Sequence, residues 1–142
     1  GEFRRQHIGF VFQMFHLLPY LTVRENALLA APNRSAEADA LLERLGLSDR
    51  RHHLPNALSA GEKQRTAIAR ALLPEPALIL ADEPTGNLDP ENAALVMQYL
   101  RDYQVSGGTV LVVTHGTDGD QYATRSIQLR AGALESNETS AR

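Results

Sequence analysis

Two adjacent carboxylates, Asp82 and Glu83, follow the apolar run Ala77-Leu78-Ile79-Leu80-Ala81. A run of that length reads as a buried strand, and a strand end fixes the direction of the residue beyond it. Asp82 can hold a magnesium ion, directly or through water, because magnesium takes few carboxylates and completes its shell with phosphate oxygens and water. Glu83, one residue further on, can polarise an attacking water as a general base. An acidic pair alone is more often a solvated turn cap. The apolar run before it and Pro84-Thr85-Gly86-Asn87-Leu88-Asp89 after it favour the functional reading.

Three other places carry related chemistry. Ser59-Ala60-Gly61-Glu62 has the spacing of a capping box. A helix starting there points free N–H groups and the positive end of its dipole outward, which suits a phosphate. Gly61 lets a phosphate approach the backbone, and Glu62 can reach back to the N–H of Ser59. His115 lies just past the apolar run Thr109–Val113 and can donate a hydrogen bond to a terminal phosphate or to a carbonyl across an interface. Gln13 follows Ile8-Gly9-Phe10-Val11-Phe12 and can reach a metal-bound water. The other histidines, His7, His16, His52 and His53, form no metal-ligand pattern. Met14–Tyr20 is apolar for a loop and reads as core or as a docking surface.

The elements that must position these groups can be placed. Ile8–Phe12, Ala77–Ala81 and Thr109–Val113 read as buried strands. Thr22-Val23-Arg24-Glu25 is a second capping box, predicting a helix to about Ala31, before Pro32. Ser35 reads as the cap of a helix with apolar positions Ala38, Leu41, Leu42 and Leu45, stopped by Gly46. The helix opened by Ser59 should reach about Leu73, ahead of Pro74. Asp89 should cap another, with Pro90 at its first position, ending before Gly107-Gly108. A short helix near Asp118–Ala123 and a strand at Ser126–Leu129 follow. Alternating strands and helices predict an α/β fold with a parallel sheet, and ligands of such sheets bind beyond the strands' carboxyl ends. Gln13, Asp82-Glu83 and His115 all fall at that edge.

Composition narrows the class. The 142 residues suit one domain, and 43% hydrophobic with 22% charged residues is ordinary globular material. A net charge of -3 gives no reason to expect a nucleic-acid partner. There are no cysteines, which fits a reducing compartment. No apolar run approaches the ~20 residues of a membrane span.

The stretch Leu58–Asp89 resembles the signature helix, Walker B strand and D-loop of ATP-binding cassette (ABC) ATPases. Leu58–Glu62 is similar to their Leu-Ser-Gly-Gly-Gln/Glu signature, with Ala60 in place of the first glycine. Ala81–Asp89, Gly9–Gln13 and Leu21–Asn26 resemble the branch of lipoprotein-releasing, macrolide-exporting and FtsE-like cell-division ATPases. The resemblance implies a P-loop NTPase-type parallel sheet with helices on both faces, present in part, and a helical subdomain inserted at about 21–73. Residues 1–135 would form the carboxyl part of a nucleotide-binding domain and residues 136–142 a frayed tail.

That resemblance also implies roles. Gln13 would be the Q-loop residue, sensing magnesium and a membrane partner. Asp82 would support magnesium, Glu83 would be the catalytic base and His115 the switch histidine. Ser59 and Gly61 would contact the γ-phosphate of ATP held by a second, head-to-tail ATP-binding subunit; the cofactor-binding set would be Ser59, Ala60, Gly61, Glu62 and Asp89, with Asp89 in the D-loop at the interface. Further partners would be a transmembrane permease and a location at the cytoplasmic face of the bacterial inner membrane. Two departures stand out: Ala60 adds a methyl group where backbone meets phosphate, and Gly116 follows the histidine where the family often has an acid.

Other readings are a non-transport ABC ATPase of cell division and an inactive fragment. Repair and chromosome ATPases insert long coiled coils between Q-loop and signature, and no long heptad run lies between Gln13 and Ser59. The phosphate loop G-x-x-x-x-G-K-[ST] does not occur in these 142 residues, whose single lysine, Lys63, follows Glu62. The polypeptide of residues 1–142 is therefore expected to hydrolyse no ATP by itself. Magnesium-dependent phosphate release by the purified polypeptide, abolished by Glu83→Gln, would overturn this expectation.

Overall fold

The computed structural model describes Arg4, residues 7–116 and residues 119–139. Its centre is a parallel sheet of β1 (Ile8–Phe12), β2 (Leu78–Asp82) and β3 (Thr109–Val113), in that spatial order. The register pairs Ile8 with Leu78 and Thr109 at one end, and Phe12 with Asp82 and Val113 at the other. All three strands thus stop in line, and the residues after each leave from the same edge.

Parallel neighbours need crossover connections. Between β1 and β2 run α1 (Val23–Leu28), α2 (Ser35–Arg44) and α3 (Ala60–Leu72), with short 3-10 turns at Ser48–Arg50 and Pro55–Ala57. Between β2 and β3 runs α4 (Pro90–Val105). A separate antiparallel hairpin of β4 (Arg125–Arg130) and β5 (Ala133–Thr139) follows. The expected fraying from residue 136 gives way to strand over 136–139, and 140–142 lie outside the described residues. The short helix expected near Asp118–Ala123 is a 3-10 turn at Asp120–Tyr122, with Asp118 outside the described residues.

Strand alternation sorts the sheet into two faces. Val11, Ile79 and Ala81 are buried, and they join Val23, Leu42, Leu45, Leu47, Ile68, Val96 and Leu100 in one core. The inserted helices and the sheet therefore share a single apolar cluster. The opposite face is covered only in part: Phe10 and Leu80 are half-buried, while Leu111 and Val113 are more than half exposed. The reading of Ala77–Ala81 and Thr109–Val113 as buried strands is corrected here: β2 is buried at alternate residues, and no residue of β3 is fully buried. Alternation makes each strand one-sided, and among the described residues β3 lies at the edge of the sheet.

Both capping boxes form. Thr22 Oγ accepts the Glu25 N–H at 3.3 Å and Glu25 returns a bond to the Thr22 N–H at 2.8 Å. Helix α1 ends at Leu28, short of the expected Ala31. Ser35 does not cap α2. Arg34 occupies the cap position without a side-chain bond, and the Ser35 hydroxyl accepts from Arg24, whose guanidinium also grips Asp39 at 2.7 and 3.0 Å. Gly46 stops α2 as expected, at φ +66°, a conformation glycine adopts without a Cβ penalty.

Asn26, fully buried, was not anticipated. Its amide donates to the carbonyls of Leu18, Leu21 and Thr22 and accepts the Leu18 N–H at 2.8 Å. It thereby ties the loop after β1 to α1.

Two carboxylates make this helical region acid-sensitive. The Arg24 hydrogen bond holds Asp39 below the usual carboxylate value. Burial would raise Glu62, but the Ser59 N–H and Arg50 outweigh it, and Glu62 too lies low. Such groups contribute stability above the unfolded carboxylate pKa, and that stability is lost as pH falls through the native values. Wild-type protein should lose more of its melting temperature between neutral pH and about pH 3 than Asp39→Asn, which lacks one titrating carboxylate. Thermal melts of both proteins across that range check this.

Candidate functional site

The site is built on the common edge where β1, β2 and β3 end. Gln13 leaves β1, Asp82 closes β2, and Thr114-His115 leave β3. Asp82 is exposed there, in register between Phe12 and Val113. Glu83 turns sharply out of β2 at φ +45°, left-handed backbone that costs a non-glycine residue roughly 1–2 kcal/mol. Its N–H is held by the Val113 carbonyl at 2.9 Å, and its own carbonyl accepts the Gly86 N–H at 3.1 Å. The strain is thus fixed on both sides, and it aims the carboxylate along the edge toward β3.

There the carboxylate meets three donors. Glu83 Oε1 accepts the His115 N–H at 2.8 Å and lies 2.6 Å from His115 Nδ1; Oε2 accepts the Thr114 hydroxyl at 3.1 Å. The Glu83 side chain is 18% exposed and that of His115 86%. Burial would raise the Glu83 carboxyl, but the bonds from His115 and Thr114 outweigh it, and its pKa lies below the usual glutamate value. The group is therefore ionised at neutral pH, a carboxylate oriented by an imidazole.

The turn after Glu83 closes against β1. Asn87 donates to the Gln13 carbonyl at 3.1 Å, and a Cβ built on Gly86 would lie 2.7 Å from Gln13 Nε2. A side chain at position 86 would have to displace the Gln13 amide.

Helix α3 binds these loops together. Ser59 caps it, accepting the Glu62 N–H at 3.2 Å, while Glu62 accepts the Ser59 N–H and Arg50 Nε, each at 2.8 Å. Ser59 and Ala60 are exposed and Gly61 is buried. One turn on, Gln64, fully buried, donates to the Pro84 carbonyl at 2.6 Å. Near the far end, Arg70 donates to the carbonyls of His16 at 2.5 Å and Phe15 at 2.9 Å. Phe15 and His16 both have positive φ, 59° and 48°, so the guanidinium fork holds a strained bend after Gln13. Burial pulls the Arg70 pKa down, yet a guanidinium stays charged.

Asp89 caps α4, accepting the Asn92 N–H at 3.0 Å and the Asn92 side-chain amide at 2.7 Å. The first of these bonds, then the second, holds its pKa below the usual aspartate value.

Gln13, Asp82, Glu83 and His115 therefore share one edge, and α3 carries Ser59–Glu62. Sequence reasoning missed Thr114, Gln64, Arg70 and Asn92. Arg70 left a signal, a charge inside the apolar stretch Ala67–Leu72; Thr114 and Asn92 left none.

This edge has the form of a nucleotide-binding α/β sheet, a strand-end acidic pair beside a histidine. Comparison with known proteins gives the family. Residues 1–86 match the model of the ABC transporter family, and the chain belongs to it. It is 45% identical, over 97% of its length, to the macrolide export ATP-binding/permease protein MacB of Shewanella sp. (strain W3-18-1), and spans 22% of that protein. It is 44% identical, over 95% of its length, to an uncharacterised ABC transporter ATP-binding protein of Thermotoga maritima, and spans 61% of it. Among solved structures it resembles the ATP-binding cassette MJ0796 in a dimeric post-hydrolysis state bound to ADP and Pi. The TM-score is 0.84 at 40% identity, covering 96% of this chain and 64% of that one. The chain thus spans less than two thirds of these relatives.

Arg70→Ala should free the Phe15 and His16 carbonyls. Amide hydrogen exchange across residues 13–20 should quicken, and stability should fall by about 1–3 kcal/mol. Arg70→Lys should restore little of this, since a lysine cannot fork across two carbonyls.

Proposed function

We propose that the protein containing these residues binds and hydrolyses ATP to power an ABC transporter of the macrolide-export or lipoprotein-release type. The observation that carries the reading is Glu83, an ionised carboxylate at the common strand edge, turned by a strained backbone onto His115. Such a group can accept a proton from water attacking a terminal phosphate, and the His115 bond fixes its direction. General-base catalysis of this kind contributes ~10²–10⁴-fold.

Magnesium fits the residues present. Asp82 is an exposed carboxylate at a strand end, and Gln13 stands one residue beyond its register partner Phe12. An oxygen donor set this small suits magnesium, which fills its remaining positions with phosphate and water. Asp82, with Gln13 through water, would hold the ion, which supplies neutralisation of phosphate charge.

Ser59 and Ala60 are exposed at a helix start that favours anions, so the turn Ser59, Ala60, Gly61 and Glu62 would serve the ATP of a second, head-to-tail subunit, with Asp89 beside it. The dimeric MJ0796 cassette supports that pairing by likeness. Met14 and Tyr20, 69% and 71% exposed in the loop that follows Gln13, offer a surface to a membrane permease. No helix among the described residues is long and apolar enough to cross a membrane. The proposed location is the cytoplasmic face of the bacterial inner membrane, bound peripherally.

In the complete gene product, Glu83→Gln should reduce ATP turnover by about 10²–10⁴-fold while ATP binding persists. Chelation of magnesium should stop turnover of the wild type. A Glu83→Gln protein with undiminished turnover would overturn the assignment of the base.

A further inference from the structure

Gly61 is buried in the first turn of α3, and the space a side chain would need is already filled. A Cβ built there would collide with Oδ1 and Cγ of Asn92 and lie 3.0 Å from its Nδ2. Asn92 belongs to the first turn of α4, in the helix that Asp89 caps. Each end of its amide makes one hydrogen bond. Oδ1 accepts from Arg65 Nη1 at 2.6 Å, and Nδ2 donates to Asp89 Oδ2 at 2.7 Å. The Asn92 backbone N–H donates to the other Asp89 oxygen at 3.0 Å. Arg65 sits one turn along α3 from Gly61, and its Nε is buried without a partner.

We infer that Asn92 is a positioning residue that joins the Asp89 carboxylate to the Ser59–Glu62 turn, so that both move as one rigid piece. Three contacts enforce this. The Gly61 backbone packs on the Asn92 amide, Arg65 fixes that amide's rotation, and the opposite end of the amide holds Asp89. A shift of Asp89 cannot occur without turning Asn92, and a turned Asn92 meets the α3 backbone at Gly61. The need for glycine at 61 thus has a reason inside the chain, besides any phosphate. The inference rests on the proposed function for one consequence: Asp89 and the Ser59–Glu62 turn are the surfaces offered to a second subunit, and they would engage it together.

The test uses the complete gene product without nucleotide. Gly61→Ala should lower the melting temperature by roughly 3–10 °C, and adding Asn92→Ala should restore at least half of that loss. Asn92→Asp keeps the shape and the acceptor for Arg65, and an acid in the first turn suits the helix. It replaces the donor to Asp89 with a repelling oxygen. Its melting temperature should stay within a few degrees of wild type. The amide chemical-shift change that Asp89→Asn produces at Ser59 and Gly61 should fall about threefold or more in the Asn92→Asp background. Gly61→Ala equally damaging with and without Asn92, or undiminished shift transmission in Asn92→Asp, would overturn the inference. ATP-driven self-association, expected to weaken about tenfold in Asn92→Asp, reads the consequence for pairing. Absence of that association in wild type would count against the proposed function and leave the nucleotide-free results to decide the coupling.

Discussion

The chemistry of this chain depends on a register. β1, β2 and β3 run parallel and end together, with Phe12, Asp82 and Val113 side by side. A shift of one residue in any strand would turn its side chains to the other face and move its loop off the common edge. The apolar alternation prevents this. Val11, Ile79 and Ala81 are buried against the helices, and a slipped strand would exchange them for exposed positions. Burial of a few aliphatic side chains therefore decides where Gln13, Glu83 and His115 meet.

Helix α3 is the second constraint, because it holds the loops after β1 and β2 at different turns. Its start carries the exposed Ser59 and Ala60. Gln64 then holds the Pro84 carbonyl, Arg65 holds Asn92 behind Asp89, and Arg70 holds the bend after Gln13. Each is a polar group spent on a backbone or amide that would otherwise be free to move. Strain is placed where these contacts can hold it. Phe15, His16 and Glu83 all carry positive φ, and each adjoins a loop leaving the shared edge. The distortion at Glu83 has a use, since it directs the carboxylate onto His115 instead of straight ahead along β2.

The asymmetry of the sheet bears on the ABC family assignment. One face is packed by α3 and α4, while Leu111 and Val113 on the other are open, and among the described residues β3 has a strand on one side only. Parallel sheets are ordinarily covered on both faces. Leu111 and Val113 therefore stand exposed on one side of the edge that carries Thr114 and His115.

The sequence by itself determined which elements form and which residues could do chemistry. Capping boxes at Thr22 and Ser59, Asp89 before Pro90, and the apolar runs of the three strands are local patterns, and local patterns act through nearby backbone. Hence the strand ends, the α3 start and the acidic pair were legible. What the tertiary structure decided is everything set by partners distant in sequence. Ser35 was drawn from capping by Arg24, which Asp39 holds. Glu83 gained Thr114 and His115 as donors across 31 and 32 residues. Gly61, legible as room for a phosphate, proved to be filled by Asn92 from another helix. No spacing rule reaches across such separations; only the packing of α3 against the sheet and α4 brings those atoms into contact.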